Sequence, residues 1–330
     1  MSLSKIQSSH RKKRSTIFAV PALFIMLIFL IFLISKSKNS EKSQELANQK
    51  EEAPDVSSVS VPKKETTSKN QKKEQNELLV DINQYLDTIS GTYGIYVYEL
   101  DSGENFGINE KVVFPAASTV KVPLLMALYK NIEEGKISKD IVVTYLESDY
   151  EEGTGSIQYA GFGTRWTIAQ LAEKMMKESD NAAKNMFFRI LGFNNVQNFI
   201  TSLGVKNVDM SLNNTITPKD AGTLLKLIYE NKAANKELSD EMIDLMVKTD
   251  FEERLPRYLK NVKVSHKIGT LAGAISDTGI VFLDDKPYTI SVYSKGVKSV
   301  SEAEEVIGTI SKKIYDYEYE RSIKKRGFMF

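Results

Sequence analysis

The chain has 330 residues, with 44 Lys plus Arg, 43 Asp plus Glu, two His and no Cys. A net charge of +1 gives no global field to recruit nucleic acid. The absence of cysteine excludes a disulfide framework, thiolate nucleophiles, Fe–S clusters and Cys-type zinc sites. Hydrophobic residues make up 42% of the chain, enough for a substantial core, and the length allows one large domain or two small ones. The histidines are His10 and His266, and His10 sits among basic residues near the N-terminus. A His-rich metal site is therefore not expected, and a Ser-His-Asp triad would have to use His266. No cofactor is implied, so proton transfers fall to Lys, Asp, Glu and Ser side chains.

Residues 1–14 are basic and end in His10-Arg11-Lys12-Lys13-Arg14. Residues 15–35 carry no charge and are almost all apolar. As a helix these ~21 residues would reach ~31 Å, enough to span a bilayer core of ~30 Å. The basic cluster stays cytoplasmic by the positive-inside rule, so the expectation is a single-pass cell-membrane protein with its body outside. A cleaved signal peptide is the alternative, but the apolar run is long and ends without a small-residue cleavage site. Residues 36–77 are Lys, Glu, Ser, Gln, Asn and Thr-rich with no aromatic residue, and read as a disordered linker. Such a tether would have an r.m.s. reach of ~36 Å.

The folded domain is expected over 78–320. Residues 92–100 alternate Tyr93, Ile95, Val97 and Glu99 against Gly94, Tyr96, Tyr98 and Leu100, which reads as a strand. Asp101-Ser102-Gly103-Glu104-Asn105 is turn chemistry and predicts a hairpin. Helices follow at 120–132, from a Thr167–Gln170 capping box with Met175 and Met176 in the core, and at 181–191, closed by Gly192. Thr217-Pro218 starts another, and Ser239 is expected to cap a further one through Lys248. Strands are expected at 262–268, 274–283 and 288–293, then a helix over 301–317 and a solvated basic tail, 321–330. Strands, many helices, strands, then a helix describe an α/β (α+β) domain. Strands from both ends of the domain would join one antiparallel sheet flanked by helices, with a helical lobe between.

Three short motifs occur in fixed order. Ser118-Thr119-Val120-Lys121 opens the first apolar helix, and a spacing of three puts hydroxyl and amine on one face. Unpaired N–H groups at the helix start face that hydroxyl. Serine needs an adjacent base, and Lys121 can serve if burial or a second cation keeps it neutral. Ser179-Asp180-Asn181 offers a proton-relay hydroxyl and an amide for a substrate carbonyl. Lys267-Ile268-Gly269-Thr270 ends a strand and supplies the second cation, while Gly269 permits close backbone approach. Each motif alone is common; their joint order and contexts are not.

With these motifs the chain resembles the class A β-lactamase-type active-site serine hydrolases, the β-lactamase and penicillin-binding protein superfamily. Residues 179–192, Thr217-Pro218 and Ser291-Val292-Tyr293-Ser294 extend the likeness. The resemblance implies a β-lactamase-like fold. It casts Ser118 as acylated nucleophile, Lys121 as its proton acceptor, Ser179 as proton shuttle to the leaving nitrogen, and Asn181 as a substrate-amide ligand. It casts Lys267 as electrostatic support and carboxylate ligand, with the N–H groups of Ser118 and Thr270, next to Gly269, as oxyanion hole.

Three departures stand out. The family's Glu-x-x-Leu-Asn element corresponds to Asp209-Met210-Ser211-Leu212-Asn213, with a shorter acid and a shorter loop. Asp209 is thus a weak candidate for the deacylation base and reads better as a surface turn residue. Ile268 replaces a hydroxyl residue, for which Thr270 can partly substitute. No Arg lies between Leu271 and Glu320 to bind a substrate carboxylate. Elsewhere, His266 reads as a packed, hydrogen-bonded histidine. Gly153-Thr154-Gly155-Ser156 reads as a loop over the site rim rather than a phosphate loop, with Tyr159 a rim candidate. Arg165 and Trp166 read as packing context.

Three functions stay open: a β-lactam hydrolase, a D,D-peptidase or penicillin-binding enzyme acting on peptidoglycan stem peptides with slow deacylation, and a non-catalytic wall-binding or sensing module. The partner would be a small-molecule or peptide substrate, with the membrane reached through the N-terminal helix.

Overall fold

The structure, a computed structural model, describes residues 64–211, 213–284 and 286–327. The expected basic segment 1–14, membrane helix 15–35 and most of the linker lie outside these residues. Among the described residues, no helix is long and apolar enough to cross a membrane.

Both ends of the domain contribute to one sheet. A first hairpin joins β1 (Thr92–Glu99) to β2 (Asn105–Ile108). Two smaller sheets involve β3 (Phe114–Pro115), β4 (Val142–Thr144), β5 (Arg165–Thr167), β6 (Val208–Asp209) and β7 (Thr215–Ile216). Late in the chain come β8 (Lys263–Leu271), β9 (Ala274–Phe282) and β10 (Tyr288–Lys295). The main sheet has five strands in the order β2-β1-β10-β9-β8 and is antiparallel throughout. The expected closure of early on late strands is the β1–β10 pairing, with Ile95 opposite Val292.

Two cores lie on the two faces of this sheet. One is built from Ile95, Val97, Ile290 and Val292 against the terminal helices α1 (Lys64–Leu86) and α8 (Val300–Gly327), which bring Ile82, Ile307, Ile310 and Ile314. The other joins Ile280 and Tyr293 to a lobe made of α2 (Lys121–Glu133), α3 (Ile168–Lys177), α4 (Asn181–Leu191), α5 (Phe193–Ser202), α6 (Pro218–Tyr229) and α7 (Lys236–Leu245). Every residue of α2 from Lys121 to Tyr129 is buried. A helix apolar all round belongs inside the protein, and here its first residue is a lysine.

Several expectations change. α1 begins at Lys64, inside the stretch expected as linker. It is held by pairing with α8, through Lys313–Asp81 at 2.6 Å and Lys324–Glu74 at 2.9 Å. α8 runs to Gly327, ten residues past its expected end. Arg321, expected in a solvated tail, is buried among Glu99, Glu318 and Glu104. Ser239 caps nothing: it lies inside α7, and Asn235 caps that helix by accepting the Leu238 N–H at 3.1 Å.

Candidate active site

Ser118 lies in a 3₁₀ turn, Ala117–Val120, that feeds directly into α2. In this tighter helix residues three apart are eclipsed, so Ser118 and Lys121 share a side. Tyr293 of β10 donates to Thr119 Oγ1 at 2.9 Å, and Thr119 donates to Ala116 O at 2.6 Å. These bonds pin the turn to the sheet. Ala117, just before the nucleophile, has φ +48° in the left-handed region, a costly conformation for a residue with a Cβ.

Lys121 is fully buried, and its Nζ is the hub of the site. It lies 3.0 Å from Ser118 Oγ, 3.1 Å from Ser179 Oγ, 2.5 Å from Ser179 O and 2.8 Å from Asn181 Oδ1. Burial drives its pKa well below the ordinary lysine value. Repulsion from Lys267 and Lys184 adds to this, while Glu151 and Asp180 oppose it. A neutral amine has two N–H donors and one lone pair. Donation to Ser179 O and Asn181 Oδ1 leaves the lone pair to accept the Ser118 or Ser179 hydroxyl proton.

The second motif sits between α3 and α4. Asp180 caps α4 by accepting the Ala183 N–H at 2.8 Å, which starts the helix at Asn181. Ser179 has φ +55°, again left-handed, and its carbonyl turns back to Lys121. The loop over residues 151–158 is stitched onto this motif. Thr154 Oγ1 donates to Ser179 O at 2.6 Å, Asn181 N–H donates to Thr154 O at 3.1 Å, and Ile157 N–H donates to Asp180 Oδ2 at 2.8 Å. Gly155, at φ +99°, leaves no room for a Cβ against Asp180. The glycines of residues 153–156 thus serve close packing at the rim. Tyr159 is 84% exposed, and Trp166 packs under Lys174, 5.2 Å from its ring.

The third motif lies along β8, whose edge packs on the nucleophile turn. A Cβ on Gly269 would fall 2.7 Å from Ala116 O and 3.1 Å from Ala117 Cβ. Lys267 is buried, and desolvation pulls its pKa down to about 7, with Asp277 opposing and Arg254 reinforcing the shift. Ile268 is buried as well. Thr270 is exposed, and its Oγ1 accepts from Arg254 Nη2 at 2.7 Å.

Arg254 is a cation that the sequence reading missed. Its Nη1 donates to Gly269 O at 2.9 Å and Ser276 O at 2.8 Å, and its Nη2 also meets Glu304 at 3.3 Å. The expected absence of an arginine at this edge is therefore corrected. The residue comes from the loop before β8, not from the chain after it, and only the fold brings it there.

Asp209 does not join the cluster. Its carboxylate accepts from Ser211 N–H at 2.8 Å and Asn213 Nδ2 at 3.1 Å, closing its own turn. Those bonds lower its pKa, which makes it a weaker base. The neighbouring Asn214 is the residue that reaches the nucleophile turn. Its O accepts the Ala116 N–H at 2.8 Å, and its Nδ2 donates to Ala117 O at 3.2 Å. Its Oδ1 is buried without a hydrogen-bond partner. No metal-binding group of His, Asp or Glu occurs among the described residues.

The sequence profile of the beta-lactamase enzyme family matches residues 77–318. Beta-lactamase VEB-1 of Pseudomonas aeruginosa is 27% identical over 272 residues, spanning 73% of this chain and 90% of that protein. Among solved structures, PBP-A is 27% identical with a TM-score of 0.70, covering 75% of this chain and 96% of PBP-A. A PBP-A variant in an acyl-enzyme complex with penicillin G matches at the same TM-score of 0.70 and identity of 27%, covering 76% of this chain and 97% of its own. The beta-lactamase of Sphaerobacter thermophilus DSM 20745 matches at 25% identity and a TM-score of 0.69, covering 73% and 95% of the two chains. With a buried lysine on a serine at the head of the core helix and a family profile across most of its length, this chain belongs to the beta-lactamase enzyme family and is a serine hydrolase of the beta-lactamase type.

Proposed function

We propose that the protein attacks β-lactam amides through an acyl-Ser118 intermediate. The observation that carries this reading is the buried Lys121 amine, 3.0 Å from Ser118 Oγ and 3.1 Å from Ser179 Oγ. Neutral Lys121 takes the Ser118 proton as Oγ attacks the carbonyl carbon. The negative charge forming on the carbonyl oxygen falls between the Ser118 and Thr270 N–H groups. As the C–N bond breaks, Ser179 gives its proton to the leaving nitrogen and recovers one from Lys121. Water then attacks the ester; Lys121, again neutral, takes its proton and passes it to Ser118 Oγ as the C–O bond breaks and the acid leaves.

The substrate carboxylate is assigned to the β8 edge. Arg254 donates into Thr270 Oγ1, which leaves the threonine's own proton for a substrate oxygen. Arg254 supplies positive charge there, joined by Lys267 in its protonated form, and Thr270 takes the place of the hydroxyl that Ile268 lacks.

A second reading is favoured by one observation: the Asp209 carboxylate is turned to its own loop. Acylation does not use it, but fast deacylation by a carboxylate-activated water would. This favours a penicillin-binding or D,D-peptidase enzyme that acylates readily and releases slowly, with the D-Ala-D-Ala end of peptidoglycan stem peptides as substrate. The apolar run 15–35 and its flanking basic cluster support anchoring of the enzyme outside the cytoplasmic membrane.

The test is an intact-mass time course with benzylpenicillin, following protein mass and free drug together. Drug consumed with a transient adduct supports a hydrolase; a lasting adduct supports the penicillin-binding reading. No adduct and no turnover would sink both, as would an adduct that survives Ser118→Ala.

A further inference from the structure

His266 takes no part in the steps above, yet it is fully buried, one residue before Lys267. Its Nδ1 lies 2.9 Å and 3.0 Å from the two Asp277 oxygens. Its Nε2 lies 3.3 Å from Glu252 Oε1, with Thr249 Oγ1 at 3.5 Å. Asp277, also fully buried on β9, accepts a further bond at Oδ2 from the Leu255 N–H, 3.1 Å away. Glu252 in turn accepts the Thr249 N–H at 2.7 Å. The imidazole and Asp277 together thus tie β9 to both ends of residues 249–255, a stretch with no helix or strand of its own.

That stretch supports the carboxylate end of the site. Arg254, next to Leu255, reaches Gly269, Ser276 and Thr270 from it. Phe251, between Thr249 and Leu255, lies with its ring 5.8 Å from Lys267 Nζ. An irregular segment keeps one conformation only where its surroundings fix it. Here the fixing contacts are charged and buried. Desolvation alone would lower the His266 pKa, but Asp277 and Glu252 carry it up to about 9, so the ring is a cation at neutral pH. Other charges around the cluster include Lys267 on β8, Arg254 in the segment, and Lys177 at the end of α3 beside Glu252, with Asp244 and Asp250 also acting on that lysine.

We propose that the His266–Asp277 pair is a positioning device that holds residues 249–255 so that Arg254 and Lys267 select substrates carrying a carboxylate. This rests on the acyl-Ser118 reading and names what governs its substrate preference. The charged ring does two things. It faces both Asp277 oxygens, of which Oδ2 also holds the Leu255 N–H, and it compensates the Asp277 charge that Lys267 would otherwise feel alone. A neutral side chain of similar size fills the space but leaves a buried carboxylate uncompensated, which is costly enough to move the loop.

The test compares full-length protein with His266→Gln and Glu252→Gln, measuring acylation rate constants for benzylpenicillin and for its methyl ester, with a thermal melt of each protein. The ester keeps the reacting amide and loses the charge that Arg254 and Lys267 would bind. His266→Gln is expected to lower the preference for the free acid about tenfold or more, the worth of one charge-assisted hydrogen bond, with the ester rate nearly unchanged. Glu252→Gln, at a half-exposed position, should shift the preference in the same direction by less. An unchanged preference overturns the proposal, and so does an equal fall for both substrates, which would mark a purely structural role. If His266→Gln does not fold, the Glu252→Gln ratio decides by the same criteria. Failure of wild type to acylate with either compound overturns the acyl-Ser118 reading itself, a result distinct from an acylating wild type whose preference survives substitution.

Discussion

Replacing Gly269 by Ala tests the oxyanion geometry most directly. The new Cβ would sit 2.7 Å from Ala116 O, 3.1 Å from Ala117 Cβ and 2.5 Å from Ser276 Oγ. Ser276 Oγ is a small group on a buried strand, and the other two contacts belong to the turn that carries Ser118. Restoring ordinary contact at Ala116 O needs a separation of about 3.4 Å, so β8 and the turn must part by about 0.7 Å. The Ser118 and Thr270 N–H groups lie on opposite sides of that seam, and in the proposed mechanism the carbonyl oxygen must meet both. Displacements near 1 Å cost on the order of a hundredfold in rate, and loss of one oxyanion donor costs about a hundred- to a thousandfold. Acylation by benzylpenicillin should therefore fall by about a hundredfold. The global fold should survive, because the strain is relieved at the seam rather than in either core. Single-turnover mass spectrometry gives the acylation rate, and circular dichroism with a thermal melt checks folding. A folded Gly269→Ala protein that acylates within threefold of wild type would show that the oxyanion is not bound across this seam.

Because the Lys121 pKa is depressed, the acylation rate should rise with pH on a limb that levels off well below the ordinary lysine range; a rate still climbing tenfold per unit at pH 10 would contradict a neutral Lys121 base. Asp209→Asn should leave deacylation within about threefold of wild type, since its carboxylate closes a local turn; a large loss measured by adduct decay would restore it as the base. Arg321→Met leaves Glu99 with Lys286 alone, 3.6 Å away, and Glu318 without its guanidinium, so chemical denaturation should show a loss of about 1–3 kcal/mol, and no loss would refute the cost of that network. The folded-state pKa of His266, about 9, is raised above the unfolded value, so its stabilisation is complete below pH 6.5 and lost as pH rises through 9. Lys267, lowered to about 7, has the opposite slope over much of that range, so the measurement is the difference in unfolding free energy between wild type and His266→Gln. That difference should shrink by a few kcal/mol from pH 6 to pH 10; a flat difference would mean the ring is neutral.

The parts legible in the sequence are those written by local chemistry. The Thr167–Gln170 capping box forms as expected, with bonds of 2.9 Å and 3.2 Å, and Thr217 caps α6 with Pro218 in its first position. Strands β8 to β10 follow their apolar runs. The motifs around Ser118, Ser179 and Lys267 are legible because each is contiguous in sequence, and the structure brings the first two into hydrogen-bond contact through Lys121. Most of what failed depended on partners distant along the chain, though the Ser239 cap failed locally. Ser239 is a good cap residue by type, but Asn235 precedes the buried Leu238 and Met242 and so starts the helix. Arg321 looks like part of a basic tail until Glu99 and Glu104 meet it from the first hairpin. Arg254 stands in an unpatterned loop, and only the pairing of β8 with β9 gives its guanidinium the carbonyls of Gly269 and Ser276. Asn214 carries no sequence signal of its own, and only its left-handed φ of +41° and the fold bring its side chain to Ala117.

That last point extends to the whole site. Ala117, Ser179 and Asn214 all hold positive φ, none is glycine, and all three touch the nucleophile turn or its base. Such conformations cost of order 1–3 kcal/mol each and persist only where the surroundings leave no alternative. Here each is fixed by a partner from another segment. Asn214 accepts from the backbone before Ala117 and donates to Ala117 itself, while the Ser179 carbonyl is held by Lys121 and Thr154. Relaxing any one would turn a backbone carbonyl away from the bond that fixes it and leave a buried amine or amide short of a partner. The strained residues, the buried base and the apolar helix under them therefore form one unit. In the proposed mechanism it serves to take a proton from Ser118, and a buried acceptor at its edge without a hydrogen-bond partner, Asn214 Oδ1, lies on the loop whose Asp209 carboxylate closes its own turn. This distribution of polar groups is what the proposed reading of ready acylation and slow release would need.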